Sequence, residues 1–193
     1  MALLAAALLS GMAAGLLLVG ESETRVAANY RTSVETFYAA DAGLHVALRQ
    51  LGGIGSWTDA LSGAATSMFG GGTHQPQLAS GQRLDLDAVT HELQAESSSS
   101  AVWGADSPVW QLFAWGPLAA AVSGATGMET TCYLAVWIAD DGADGDGNPL
   151  ADSNGRVRLH AEAYASVETR RVVEATVSQA ASGVRVLAWR EVR

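Results

Sequence analysis

The chain has no lysine. All 11 of its basic residues are arginine, and they face 20 acidic residues for a net charge of −9. Phosphate contacts need clustered lysine or arginine, and no such cluster stands out along the sequence, so nucleic acid is excluded as a partner. The same balance excludes electrostatic attraction to anionic lipid. There is one cysteine, Cys132, so no internal disulfide is available and any fold must hold through its core. Cys132 lies in an apolar run and reads as an inert core thiol. Charged residues are only 16% of the chain, and the first 20 residues contain none.

That uncharged stretch, MALLAAALLSGMAAGLLLVG, is the first thing the sequence does have. As a helix it spans about 30 Å, the thickness of a hydrocarbon core. A secretory signal has a basic n-region and an apolar run of about 7–15 residues, which this stretch does not match. It is read as an anchor; cleavage near Met12-Ala13-Ala14 or Val19-Gly20 is the alternative. Glu21 and Glu23 suit a non-cytoplasmic exit, and Arg25 and Arg31 argue the other way. Gly11 and Gly15 form a small-xxx-small pair of the kind that lets a second helix approach closely in a membrane or filament; chance in an Ala/Gly/Leu-rich span would produce it too.

Tyr30, Val34, Phe37, Leu44, Leu48 and Leu51 then recur every three or four residues and predict one apolar helical stripe that packs on a soluble domain. Arg31, Glu35 and Arg49 fall on the opposite face, and Asp41 interrupts the stripe. No proline occurs in residues 1–51, and Gly52-Gly53 terminates the pattern. The expectation is one helix over 1–52, with 1–20 in apolar surroundings, followed by a head over 53–193.

Residues 51–82 mix Gly, Ser and Ala with short apolar runs and read as loops with one short helix or strand. LDLDAVTHELQAES is expected to be a helix capped by Asp85 or Asp87 that stops before Ser97–Ser100. Thereafter the pattern is β. SPVWQLFAW is a strand after Pro108, and CYLAVWIA (132–139) is apolar on both faces and reads as a central strand under the helix. In RVRLHAEAYAS, Val157, Leu159, Ala161 and Ala163 should point inward, with Arg156, Arg158, His160 and Glu162 outward. RRVVEATVSQ alternates through Val173, Ala175 and Val177, and Ser182-Gly183 turns the chain into VRVLAWREV. The fold class is therefore α+β: a long N-terminal helix on an antiparallel sheet. Every tryptophan except Trp57 falls between positions 103 and 189, and all are read as core aromatics.

One segment has the composition of an ion-binding loop. Residues 139–155, ADDGADGDGNPLADSNG, place Asp144, Asp146, Asn148 and Asp152 at alternating ligand positions, with the Leu150 carbonyl where EF-hand loops use backbone. That pattern predicts a Ca²⁺ site, the only cofactor expected. Pro149 and Gly155 replace the turn glycine and the bidentate acid of an EF-hand, and Asp140 or Asp141 would have to supply the missing ligand. The alternative is an acidic, solvated hairpin loop. His45, His74, His91 and His160 stand in no catalytic motif, and GGGTH (70–74) has neither a preceding strand nor a following Lys. No enzyme activity is expected.

The segment ESETRVAANYRTSVETFYAADAGLHVAL, after an uncharged run, resembles the N-terminal region of PilX-like minor pilins of the type IV pilus system. The Glu-rich exit, AANYR and FYAADAGL fall in order at the family's spacing and cover about the first 50 residues. The resemblance implies a helix that waits in the inner membrane, is extracted and packs into a filament core with other pilins. It implies a β-rich head displayed on the cell surface, and it implies help in starting pilus assembly, with a tip adhesin as a further partner. The chain departs from pilins at position 5, which is Ala5 where an acid is common, and no basic leader precedes the apolar run within these residues. The competing reading is a single-span envelope protein whose Ca²⁺-dependent head binds a surface partner.

Overall fold

The computed structural model describes residues 2–67, 69, 73–99, 107–122, 131–143, 145–181 and 183–192. A single helix, α1, runs Ala2–Leu51. The chain divides into two compact units, Met1–Glu35 and Thr36–Arg193.

In the first unit every residue from Ala2 to Arg31 is exposed, including Leu3, Leu8, Leu16 and Leu17. Among the described residues this is the one helix long and apolar enough to cross a membrane, a test that an N-terminal signal also passes. Its polar turns carry i,i+4 pairs, Arg25 with Glu21 and Arg31 Nε with Glu35 at 2.7 Å. Tyr30, expected on the packing stripe, is exposed instead, and Val34 is half-buried.

In the second unit, β1 (Gln111–Pro117), β2 (Tyr133–Asp140), β3 (Arg156–Tyr164), β4 (Arg170–Ala180) and β5 (Gly183–Val192) form one antiparallel meander in sequence order. A short helix, α4 (Leu118–Ala121), follows β1. The last turns of α1 and the short α2 (Trp57–Leu61) cover one face. Leu44 and Leu51 are buried there, with Phe37 and Leu48 packed at the margin. Beside Thr36 and Val46, the rest of the buried helix surface is small: Ala39, Ala40, Gly43 and Ala47. These residues let the helix lie close to the sheet, and a Cβ on Gly43 would sit 3.3 Å from Leu134 Cδ1. A residue that weakens the helix by propensity is thus one that permits close packing. Asp41 stays at the boundary, 3.7 Å from His45 Nε2. From the sheet, Leu134, Val136, Ile138, Val157, Leu159, Ala161, Ala163, Val173, Ala175 and Val177 complete this core, with Cys132 buried beside them.

The opposite face is covered as well, and there the structure corrects the sequence reading. Residues 74–86 fold back on themselves through Leu84 N to Pro76 O and Leu86 N to His74 O. They lead into α3 (Leu86–Ser99), whose start is capped by Asp85 Oδ1 accepting from Ala88 N at 3.0 Å. α3 does not stop before Ser97: Trp110 Nε1 donates to Ser97 Oγ at 2.6 Å and holds its last turn. Ser100 lies outside the described residues, as do Ser182 and Trp103. Leu78, Leu84, Leu86 and Leu93 pack on Trp110, Tyr133, Ala135, Trp137 and Tyr164 as a second core. β2, apolar on both faces, is buried throughout for this reason. Trp57, Trp110 and Trp137 are core aromatics, whereas Trp189 is 46% exposed.

Candidate functional site

Gly11 and Gly15, the small-residue pair expected to admit a second helix, lie on the N-terminal helix. A Cβ added at either would meet nothing within 4 Å. Both face open space one helical turn apart, within an apolar surface exposed all round. Such a surface is unstable in water and is stabilised by lipid or by other apolar helices.

The acidic loop between β2 and β3 is organised by its own backbone. Asp146 Oδ1 accepts from Asn148 N at 2.8 Å, and Asn148 Oδ1 accepts from Leu150 N at 3.3 Å. Asp152 Oδ1 accepts from Gly155 N and Arg156 N, tying the loop to the start of β3. Asp141 Oδ1 holds Ala143 N and Asn154 Nδ2. Gly142, Gly145, Gly147 and Gly155 adopt positive φ, which lets so short a segment turn repeatedly. Asp144 lies outside the described residues. Among the described residues no group of three or more Asp, Glu, His or Cys side chains is placed to hold a metal ion.

The polar cluster that sequence reasoning missed lies on the second face of the sheet. His160 and Glu162 were expected to point into solvent, yet they are 5% and 4% exposed. They point away from the first core as the strand period requires, but α3 and Trp110 roof that side. His160 Nε2 lies 2.8 Å from Glu162 Oε1, and its Nδ1 lies 3.0 Å from Glu174 Oε1 on β4. Tyr164 donates its hydroxyl to Glu162 Oε2, and Arg170 Nη1 approaches the same oxygen at 3.6 Å. Glu174 Oε2 accepts from Arg190 Nε at 2.9 Å, with Arg158 Nη2 at 3.9 Å. Arg158 also lies over the Trp110 ring, 5.4 Å from its centre, and the His160 ring meets Trp110 and Trp137 edge-on.

Burial works against charge on all three central groups, but the contacts outweigh it. Hydrogen bonds to Glu162 and Glu174 hold the His160 imidazole above its ordinary pKa. Glu162 is lowered by His160, Tyr164 and Arg170. Glu174, bonded to His160 and Arg190, is held at about 2. Burial and the neighbouring Glu162 raise Tyr164. His160 thus bridges two carboxylates, with both ring nitrogens engaged, and no Ser or Cys contacts the ring among the described residues. The cluster ties β3, β4 and β5 together. The sequence signal was RLHAEAY, which puts His160, Glu162 and Tyr164 on one strand face; missing was the knowledge that this face is roofed.

No known protein family, curated protein or solved structure matches the chain.

Proposed function

We propose that this protein is a structural subunit of a type IV pilus, a PilX-like minor pilin that joins the filament or primes its assembly. The observation that carries the reading is a 50-residue helix with two unlike parts. Its first turns are apolar and exposed on every side, and its last turns are built into the core of a β head. A helix of this kind has a use for its free apolar surface in lipid and again in a bundle of equivalent helices. The AANYR and FYAADAGL segments support the same assignment. The mechanism is packing: the apolar half-helix leaves the inner membrane for the filament core, with Gly11 and Gly15 admitting a neighbouring helix, and the head is displayed outside. The reading assigns no catalysis to the head and leaves Ca²⁺ at Asp144, Asp146, Asn148, Leu150 and Asp152 as an accessory.

The test is genetic. A strain lacking the protein is expected to assemble few surface filaments. The full chain should restore them, whereas a Gly11→Leu, Gly15→Leu double variant that still reaches the membrane should not. Normal filament numbers without the protein would overturn the role in assembly.

A further inference from the structure

The sheet has two edges, and among the described residues only the one at β1 is blunted. At β1, Ser67 N donates to Phe113 O, the strand bulges between Leu112 and Ala114, and it ends in Gly116-Pro117, where proline offers no N–H. β5 pairs with β4 along its whole length, and no strand lies on its other side among the described residues. Residues 185–190 are all exposed. The bulge that leaves Leu187 without a partner on β4 twists this edge but does not cover it.

The two sides of β5 differ in chemistry. On the side of α1 stand Val186 and Trp189, about half-exposed, with Phe37 edge-on to Trp189 at 6.2 Å. A groove of about 490 Å³ adjoins that strip, lined by Leu48, Gly52, Val184 and Val186 with His45 and Arg49 beside them. The other side is basic. Register places Arg156, Ser178 and Arg185 in one row and Arg158, Thr176 and Ala188 in the next, followed by His160, Glu174 and Arg190. A cleft of about 290 Å³ opens between Arg158, Glu174, Thr176, Ala188 and Arg190. Four of the chain's arginines thus share one patch of a protein whose net charge is −9. Their one acidic neighbour in these rows, Glu174, is already shared by His160, Arg158 and Arg190. Among the described residues neither Arg156 nor Arg185 has a carboxylate partner.

We propose that β5 is a docking edge for an extended segment of a partner protein whose residues alternate apolar and acidic. Such a segment adds a sixth strand through main-chain hydrogen bonds. Its apolar side chains lie beside Val186, Trp189 and the groove, and its carboxylates beside Arg185 and Arg190. The alternation follows from the two-residue period of a strand. The arginines that admit an acidic strand disfavour a second copy, since antiparallel self-pairing of β5 brings arginine near arginine, and like charges across a pair are destabilising. Neither the open edge nor its charge depends on what the N-terminal helix does.

The test uses the full chain in non-ionic detergent with labelled ten-residue peptides of alternating Val-Glu, Val-Gln and Val-Lys, read by fluorescence anisotropy and amide hydrogen exchange. The Val-Glu peptide is expected to bind, to weaken with salt and to protect amides within residues 183–192. Arg185→Glu should weaken it about tenfold, the scale of a cross-strand charge pair turned from attraction to repulsion, while Arg83→Glu on a remote loop should leave it unchanged. Equal binding of the Val-Gln peptide, protection elsewhere or no binding at all would overturn the proposal. So would β5 amides that become protected with protein concentration alone, which would make the occupant a second copy.

Discussion

His160 sits where burial and hydrogen bonding pull in opposite directions, and the outcome sets how the head responds to pH. Its pKa is raised in the folded state, so its stabilisation is fully present below the unfolded value of about 6.5 and is lost as pH rises through the folded value. Glu174 is held at about 2, so its stabilisation is present above the unfolded value and is lost as pH falls towards about 2. Glu162 acts in the same direction. The unfolding free energy is therefore expected to be greatest between about pH 4.5 and 6.5 and to fall on both sides. Denaturant titrations followed by tryptophan fluorescence check this. Glu174→Gln should flatten part of the acid limb, and a profile still rising above pH 7 would contradict the account. His160→Ala leaves Glu162 without its main partner in a buried site and should cost about 3–5 kcal/mol. This cluster was not legible as such. The rule that polar residues on an alternating strand point to water identified the side of β3 correctly, but it could not know that α3 would cover that side.

At the scale of elements, helix and strands were legible because their periods are long and clean. The 3.6-residue pattern to Leu51 and the two-residue pattern of β3 and β4 leave little room for another assignment. The cover of the second face was not, because its few buried apolar residues, among them Leu78, Leu84, Leu86 and Leu93, are scattered across a stretch of turns and polar residues. Its one strong local signal was the cap: Asp85 before LDAVTHEL. Asp85→Ala is expected to cost about 1 kcal/mol in stability. Gly43 tests the contact between α1 and β2. A Cβ at this position, 3.3 Å from Leu134, leaves no room for branching. Gly43→Val should destabilise the head by about 1–3 kcal/mol through overpacking. A neutral result in thermal unfolding would mean that the helix can retreat from the sheet. Tyr30, read as part of the same stripe, is exposed and falls in the first unit, before Thr36.

At the scale of the whole molecule, the chain divides at Glu35 and Thr36 into two compact units. Thr36 onward contains both hydrophobic cores and can satisfy itself in water. Ala2 to Gly20 has apolar side chains on every side and cannot. A chain lacking residues 2–24 is accordingly expected to be soluble and cooperatively folded, while the full chain should stay with membranes through alkaline extraction. Release of the full chain by that treatment would contradict membrane residence of the helix. The pilus assignment goes one step further, and one measurement bears on it most directly: the mass of the N-terminal peptide of this protein in filaments sheared from its native cells, beside that in the membrane fraction. The account predicts a mature chain in the sheared filaments that begins within or just before the apolar run and keeps most of it. A protein confined to membranes, or one whose mature chain begins beyond Gly20, would contradict it.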